Sequence, residues 1–190
     1  MPRAPAYNKD FIKGYFDLKK IDFPLLEKDI LKISAGDIVS LSGVIYTARD
    51  QAHIRLNQMI LNNEPLPFCL KNQTIYYAGP APAKPGGIIG SCGPTTSGRM
   101  DSLTPPLLNS GLKGMIGKGN RSGEVIESMI KNKCVYFSAT GGAAALIASR
   151  VESCECVAFP ELLSEAVYKL KVNDFQVVVA IDCFGNSLFK

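Results

Sequence analysis

The chain has 190 residues, 46% hydrophobic and 20% charged, with a formal net charge of +4. A globular chain of this length buries enough surface to fold without disulfides or structural metal. A single histidine, His53, and six cysteines without Cys-x-x-Cys spacing exclude a histidine-rich zinc site, while the small cationic excess favours anionic ligands over nucleic acid.

The first 20 or so residues, with Phe11, Tyr15, Phe16 and Leu18 among charges, read as an arm or short helix. Apolar positions at helical spacing predict a helix over Leu25–Ile33 that stops at Gly36. Ile38–Tyr46 reads as a strand, and Thr47-Ala-Arg-Asp opens a helix running to Leu61. Between 63 and 94, Pro65, Pro67, Pro80, Pro82 and Pro85, with Gly79, Gly86 and Gly87, leave room only for short strands, Thr74–Ala78 and Gly87–Ile89. A β/α alternation follows. Helix 96–109 leads to strand 114–117, helix 122–131 to strand 134–138, and helix 142–151 to strand 154–158. Ala166–Lys171 and Val177–Asp182 read as two further strands with a tight turn. No repeat or low-complexity linker divides the chain, so residues 1–190 are expected to form one α/β domain.

Met1-Pro-Arg-Ala-Pro-Ala lacks an apolar signal core, and no apolar run approaches the roughly 20 residues of a membrane span. Cys69, Cys92, Cys134, Cys154, Cys156 and Cys183 are therefore expected as reduced, mostly buried thiols of a cytoplasmic protein. In the strand 154–158, alternation points the sulfurs of Cys154 and Cys156 to one face.

Three strand-to-helix handovers carry a cation beside flexible backbone. In Thr47-Ala-Arg49-Asp50-Gln-Ala-His53, Arg49 and His53 share a helix face, and Asp50 is either part of a site or a plain helix-dipole residue. Gly90-Ser-Cys92-Gly93-Pro94-Thr95-Thr96-Ser97-Gly98-Arg99 combines close backbone approach with hydroxyl donors. Arg99 there faces an unfavourable helix dipole, which a bound carboxylate or phosphate explains better than helix stability does; the glycine-hydroxyl loop as a simple tight turn is the alternative. Gly117-Lys118-Gly119-Asn120-Arg121-Ser122 lacks the phosphate-loop pattern, and its lysine either reaches into a cleft or is a solvated turn residue. Arg49, Arg99 and Lys118 together suit a small dicarboxylate, since arginine binds carboxylate through paired donors and lysine acts as a compact charge.

Five strings, in order along the chain, carry a family likeness: SGVIYTARDQAH (42–53), YYAGPAP (76–82), GSCGPTTSGRMDS (90–102), KGNRS (118–122) and ECVAFPELLSEAVYKLKVNDFQVVVAIDCFGN (155–186). The combination resembles the β-type half of the iron–sulfur hydro-lyases, the class I fumarases and L-tartrate dehydratases. The resemblance implies a mixed β/β/α swivelling domain that works as the β subunit of a fumarate hydratase, hydrating fumarate reversibly to (S)-malate. Gly98-Arg99-Met-Asp101 leans toward fumarate; L(+)-tartrate, dehydrated to oxaloacetate, is the second substrate, and a non-catalytic carboxylate-binding module is the reading from another class.

The resemblance further implies an α-type partner subunit in a heterotetramer of two α and two β chains, with residues 1–24 as an arm on that partner. A [4Fe-4S] cluster acting as Lewis acid is expected on the partner's cysteines, with no metal ligand on this chain. Arg49, Arg99 and Lys118 are implied as substrate-carboxylate ligands and Thr95 as the catalytic hydroxyl. Asp50, His53, Thr96 and Asn120 are implied as their support. A free threonine hydroxyl is too weak an acid to hold charge near neutral pH, so Thr95 either works in proton transfer with a lowered pKa or only hydrogen-bonds. Cys92 lies inside the substrate loop, but a cluster-ligating role needs companions that are not nearby.

Overall fold

The computed structural model describes residues 18–140 and 142–189. In chain order the elements are β1 (Lys19–Asp22), α1 (Glu27–Ile30), β2 (Ile38–Thr47), α2 (Asp50–Leu61), β3 (Thr74–Tyr76), a 3₁₀ helix (Ser97–Leu103) running into α3 (Thr104–Asn109), and β4 (Gly114–Gly117). There follow α4 (Gly123–Asn132), β5 (Val135–Ser138), α5 (Ala144–Ala148), β6 (Val151–Ala158), a second 3₁₀ helix (Pro160–Glu165) and β7 (Val167–Ile181).

Strands β2, β3, β4 and β5 lie side by side in parallel, each joined to the next by a crossover containing helix. The long β7 runs antiparallel against both β5 and β2 and closes the sheet into a small barrel. β1 and β6 extend it beside β2 and β7. Side-chain alternation divides the core in two. Ile45, Tyr76, Ile116, Val135, Phe137, Leu170 and Val179 belong to one apolar cluster. Their neighbours Ile75, Met115, Tyr136 and Ala180 pack with Ala52 and Leu56 of α2, Leu107 and Leu108 of α3, and Val125 and Met129 of α4. β4 and β5 are buried on both faces, which is why they read as unbroken apolar runs. The mixed α/β class follows from these layers.

The structure revises six of the expected elements. Of 25–33 only Glu27–Ile30 is α-helical; beyond it the chain tightens, Lys32 N–H to Asp29 and Ile33 N–H to Ile30, while Leu25, Ile30 and Ile33 are buried regardless. Residues 87–89 form no strand: Gly87 N–H closes a turn on Lys84. The helix expected over 96–109 divides at Thr104 because Pro105 and Pro106 lack N–H donors and fit only the first turn of a new helix. The helix expected over 142–151 shrinks to α5 because Val151 is taken into the sheet opposite Val172. The two terminal strands are one, β7: Asp174 adopts φ 55° without leaving the sheet, its N–H bonded to Ser42 Oγ and its carboxylate accepting from Ser40.

The expected arm of residues 1–24 lies outside the described residues up to position 17; of the remainder, Lys19–Asp22 pairs with β2 as an edge strand. Cys92, Cys134 and Cys183 are buried and Cys154 is half-buried, but Cys69 and Cys156 are exposed, because their positions on a loop and an edge strand have one solvated side. No helix among the described residues is long and apolar enough to cross a membrane.

The β2–β7 seam is locked by Phe175, which is 1% exposed, lies opposite Leu41 and packs edge-on against Tyr76 at 5.5 Å between ring centroids. Phe175→Ala is expected to lower unfolding free energy by about 3–5 kcal/mol, measured by denaturant titration, because the barrel interior cannot collapse around the cavity.

Candidate functional site

Parallel strands present their carboxyl ends on one rim, the usual place for a ligand crevice in α/β sheets. Here β2 ends at Thr47 and hands over to Arg49 and Asp50, β3 ends at Tyr76 and leads to the loop reaching Thr95, and β4 ends at Gly117, just before Lys118. Backbone hydrogen bonds join these loops. Thr95 N–H donates to the Tyr77 carbonyl at 2.6 Å, Lys118 N–H to the Thr95 carbonyl at 3.3 Å, and Ser97 N–H to the Lys118 carbonyl at 2.9 Å. Gly117 makes this approach possible, since a Cβ there would sit 2.0 Å from Ser97 Oγ and 2.9 Å from the Tyr77 ring. Thr95 is half-buried, while Thr96, Lys118 and Asn120 are exposed.

Arg49 stands at the N-cap of α2 and passes over Gly79, where a Cβ would lie 2.9 Å from Nη1. Its Nη2 lies 3.4 Å from Oε1 of Glu165, whose other oxygen accepts from Gln51 N–H at 3.1 Å. Arg99 leans across to Asp50, with Nε donating to Oδ1 at 3.1 Å and Nη2 3.0 Å from Oδ2. Asp50 therefore both sits in the first turn of α2 and answers the guanidinium. The unfavourable placement of Arg99 is offset by a carboxylate of its own chain, so it needs no ligand to explain it. Lys118 makes no ion pair among the described residues. Of the three cations in the sequence pattern, two already face a carboxylate.

His53 is fully buried, with Nδ1 2.9 Å from the Arg49 carbonyl and its ring edge-on to Tyr77 at 5.3 Å; Nε2 has no partner among the described residues. Burial pushes its pKa down to about 4, so it is a neutral packing group that orients the Arg49 turn, not an acid or base at neutral pH. Asn120 folds back on its own loop, its Oδ1 accepting from Arg121 N–H at 2.7 Å. Thr96 is held by its backbone, in a single parallel bridge to Lys118. Cys92 is buried in the barrel cluster, its carbonyl accepting from Tyr76 OH at 2.8 Å and its thiol pushed up to about 12 by burial, so it acts as packing in the loop.

Sequence reasoning left three participants without a role: Glu165, Asp101 and Arg121. Arg121 is a buried arginine whose Nε donates to Asp101 Oδ1 at 2.7 Å. Its signal lay in KGNRS itself, as a second cation three residues behind Lys118. Glu165 carried no local signal, because its link to Arg49 spans more than a hundred residues.

The family model described as Fumarase C-terminus matches residues 4–190. The chain belongs to that family. Within it, the chain is 40% identical over 172 residues to the Methanocaldococcus jannaschii protein named "Putative L(+)-tartrate dehydratase subunit beta", covering 87% of this chain and 88% of that one. It is 37% identical over 191 residues to fumarate hydratase 2 of Leishmania major, covering all of this chain and 34% of that one. It is 43% identical over 154 residues to the aerobic class I fumarate hydratase of Escherichia coli, covering 80% of this chain and 28% of that one. This Fumarase C-terminus chain thus spans about a third of the fumarate hydratases it matches and most of the tartrate dehydratase β subunit.

The family resemblance brings an iron–sulfur cluster into question, and the donor set of this chain does not fit one. No three His, Cys, Asp or Glu side chains gather among the described residues, and the buried Cys92 and Cys134 thiols are held protonated, at about 12, by burial.

The His53 environment has a measurable consequence. Its folded pKa of about 4 lies below the ordinary 6.5, so the unfolded chain takes up the proton first. This contribution is complete above about pH 6.5 and is lost as pH falls toward 4, to a limit of about 3 kcal/mol. His53→Gln, compared with the parent by thermal unfolding between pH 7.5 and 4.5, is expected to remove that part of the acid destabilisation; identical pH profiles would show that His53 is not buried neutral.

Proposed function

We propose that this chain is the substrate-clamping half of a hydro-lyase that hydrates fumarate reversibly to (S)-malate, working as a β subunit with an α-type partner. The observation that carries the reading is the junction of Thr95, Ser97 and Lys118 beside the Asp50–Arg99 pair, in a chain of the Fumarase C-terminus family. It gathers a hydroxyl, an ammonium and two guanidiniums onto one rim. In this reading the [4Fe-4S] cluster is held by cysteines of the partner, in a heterotetramer of two α and two β chains in the cytoplasm. The arm and the rim face that partner, and the domain swivels toward it.

Arg49 and Arg99 take the carboxylates of the dianion, exchanging Glu165 and Asp50 for substrate oxygens. The exchange is cheap, because partly exposed ion pairs contribute only about 0–1 kcal/mol each. Lys118, free of a carboxylate partner among the described residues, adds a compact charge. Asp50, His53, Thr96 and Asn120 hold these groups in place through the bonds described above. Thr95 has its backbone N–H and carbonyl both committed, so its main chain is held at the rim. It serves as a proton-relaying hydroxyl beside a carboxylate supplied by the partner, since alone it carries no charge near neutral pH. Closure of a partner over the rim excludes water and strengthens each of these contacts.

One observation favours a second substrate. The M. jannaschii relative is matched over 88% of its length, and its name specifies L(+)-tartrate. Steady-state rates of the complex with its α-type partner, prepared anaerobically, on fumarate, malate and tartrate decide between the two. In that complex Arg99→Ala and Lys118→Met are each expected to raise KM about tenfold or more, and Arg99→Ala to lower kcat as well. Unchanged constants in both variants, or full activity from this chain alone without iron, would overturn the assignment.

A further inference from the structure

We propose that Arg121 is the positioning residue that holds the three ligand loops in one register, an inference that rests on the reading of the rim as a dicarboxylate site. Its side chain is fully buried, and its guanidinium lies between the rings of Tyr77 and Tyr136, 5.2 and 5.3 Å from their centroids. Within that slot its donors are committed in three directions. Nε donates to Asp101 Oδ1 at 2.7 Å, Nη1 to Tyr77 OH at 3.2 Å, and Nη2 to Thr104 Oγ1 at 2.9 Å. The hydroxyls point consistently: Thr104 donates onward to the Met100 carbonyl at 2.8 Å, which leaves its oxygen free to accept from Arg121.

Asp101 and the two tyrosines lead on to ligand residues, whereas Thr104 and Met115, whose Sδ lies 3.2 Å from Nη1, anchor the fork in the core. Asp101 lies two residues beyond Arg99 on the same 3₁₀ helix, and its second oxygen accepts from Ser122 N–H at 2.6 Å, tying that helix to the Lys118 loop. Tyr77 supplies the carbonyl that holds Thr95 N–H, and its ring supports His53 behind Arg49. Tyr136 OH donates to the Gly119 carbonyl at 2.8 Å and lies 2.9 Å from the Ser97 hydroxyl, on either side of the Thr96–Lys118 bridge. One planar cation is therefore tied through Asp101, Tyr77 and Tyr136 to the segments that carry Thr95, Arg99 and Lys118, and through the Tyr77 ring and His53 to the turn that carries Arg49.

Stability alone gives no reason for this arrangement. Burying a guanidinium costs several kcal/mol, and apolar residues of similar volume replace buried ion pairs at no loss in stability. What an apolar core lacks is direction. Five donors in a rigid fork fix the angle between Asp101, Tyr77 and Thr104, a task lysine cannot perform from a single rotatable ammonium.

The test uses Arg121→Lys, with Arg121→Met as a second variant, and reads two quantities. In the full chain, amide hydrogen exchange is expected to accelerate about tenfold or more at 95–99 and 118–120, while the β5 amides 135–137 keep their protection. In the complex with the α-type partner, kcat/KM for the dicarboxylate is expected to fall about 10- to 100-fold, as expected for ligands misplaced by about 1 Å. Unchanged exchange at 95–99 and 118–120 in either folded variant, or acceleration spread evenly over β5 as well, would overturn the inference. If the unsubstituted complex acts on none of fumarate, malate or tartrate, the dicarboxylate reading fails by itself, and the exchange pattern still decides whether Arg121 registers the loops.

Discussion

Strand β2 is hydrogen-bonded to β1 and β3 along one edge and to β7 along the other, and this double engagement turns a row of strands into a barrel. Without the β2–β7 seam the four parallel strands would form an open sheet needing cover on both faces. With it, one set of alternate side chains fills the barrel and the other set receives α2, α3 and α4. The carboxyl ends of β2, β3 and β4 are then brought round to a common rim. A crevice for a small ligand needs that common rim, because loops leaving three different strands must meet within a few ångströms.

Electrostatics at the rim follow a graded pattern. Arg99 is half-exposed, with Asp50 opposite, and Arg49 is more buried, with Glu165 opposite; both pairs sit where solvent weakens them. Arg121 and Asp101 lie inside, where removing one partner leaves a charge without compensation. The exchangeable pairs are thus outermost and the fixed pair innermost. On the proposed reading of the rim, this order lets the outer counter-charges be released to an incoming dianion without disturbing the frame beneath.

Much of the fold was legible locally. Strand 114–117 stands where expected, the helix opened by Thr47-Ala-Arg-Asp begins at Asp50 and ends at Leu61, and the helix expected over 122–131 is Gly123–Asn132, with Ser122 as its N-cap. Misreadings came where two local signals competed. Asn173-Asp174 is a turn signal in isolation, yet Ser40 and Ser42 across the seam hold it within one strand. Pro105-Pro106 sat inside an apolar helical pattern and cut it. The cations of the site were equally visible, since each stood beside a glycine or at a helix start. Their partners were not: Asp50 and Arg99 are 49 residues apart, and Glu165 is further still from Arg49.

Composition and motif order by themselves displayed three glycine-bearing loops with a cation each and the string order that places the chain in the Fumarase C-terminus family. These properties reside in residue type and short spacing, which the linear chain displays directly. Only the tertiary structure decided which carboxylate faces which arginine, that His53 is buried and neutral, and that the unassigned arginine of KGNRS is the inner cation on which the loops converge. Those outcomes depend on burial and on contacts between strands distant in sequence, and both exist only once β7 has closed the barrel on β2.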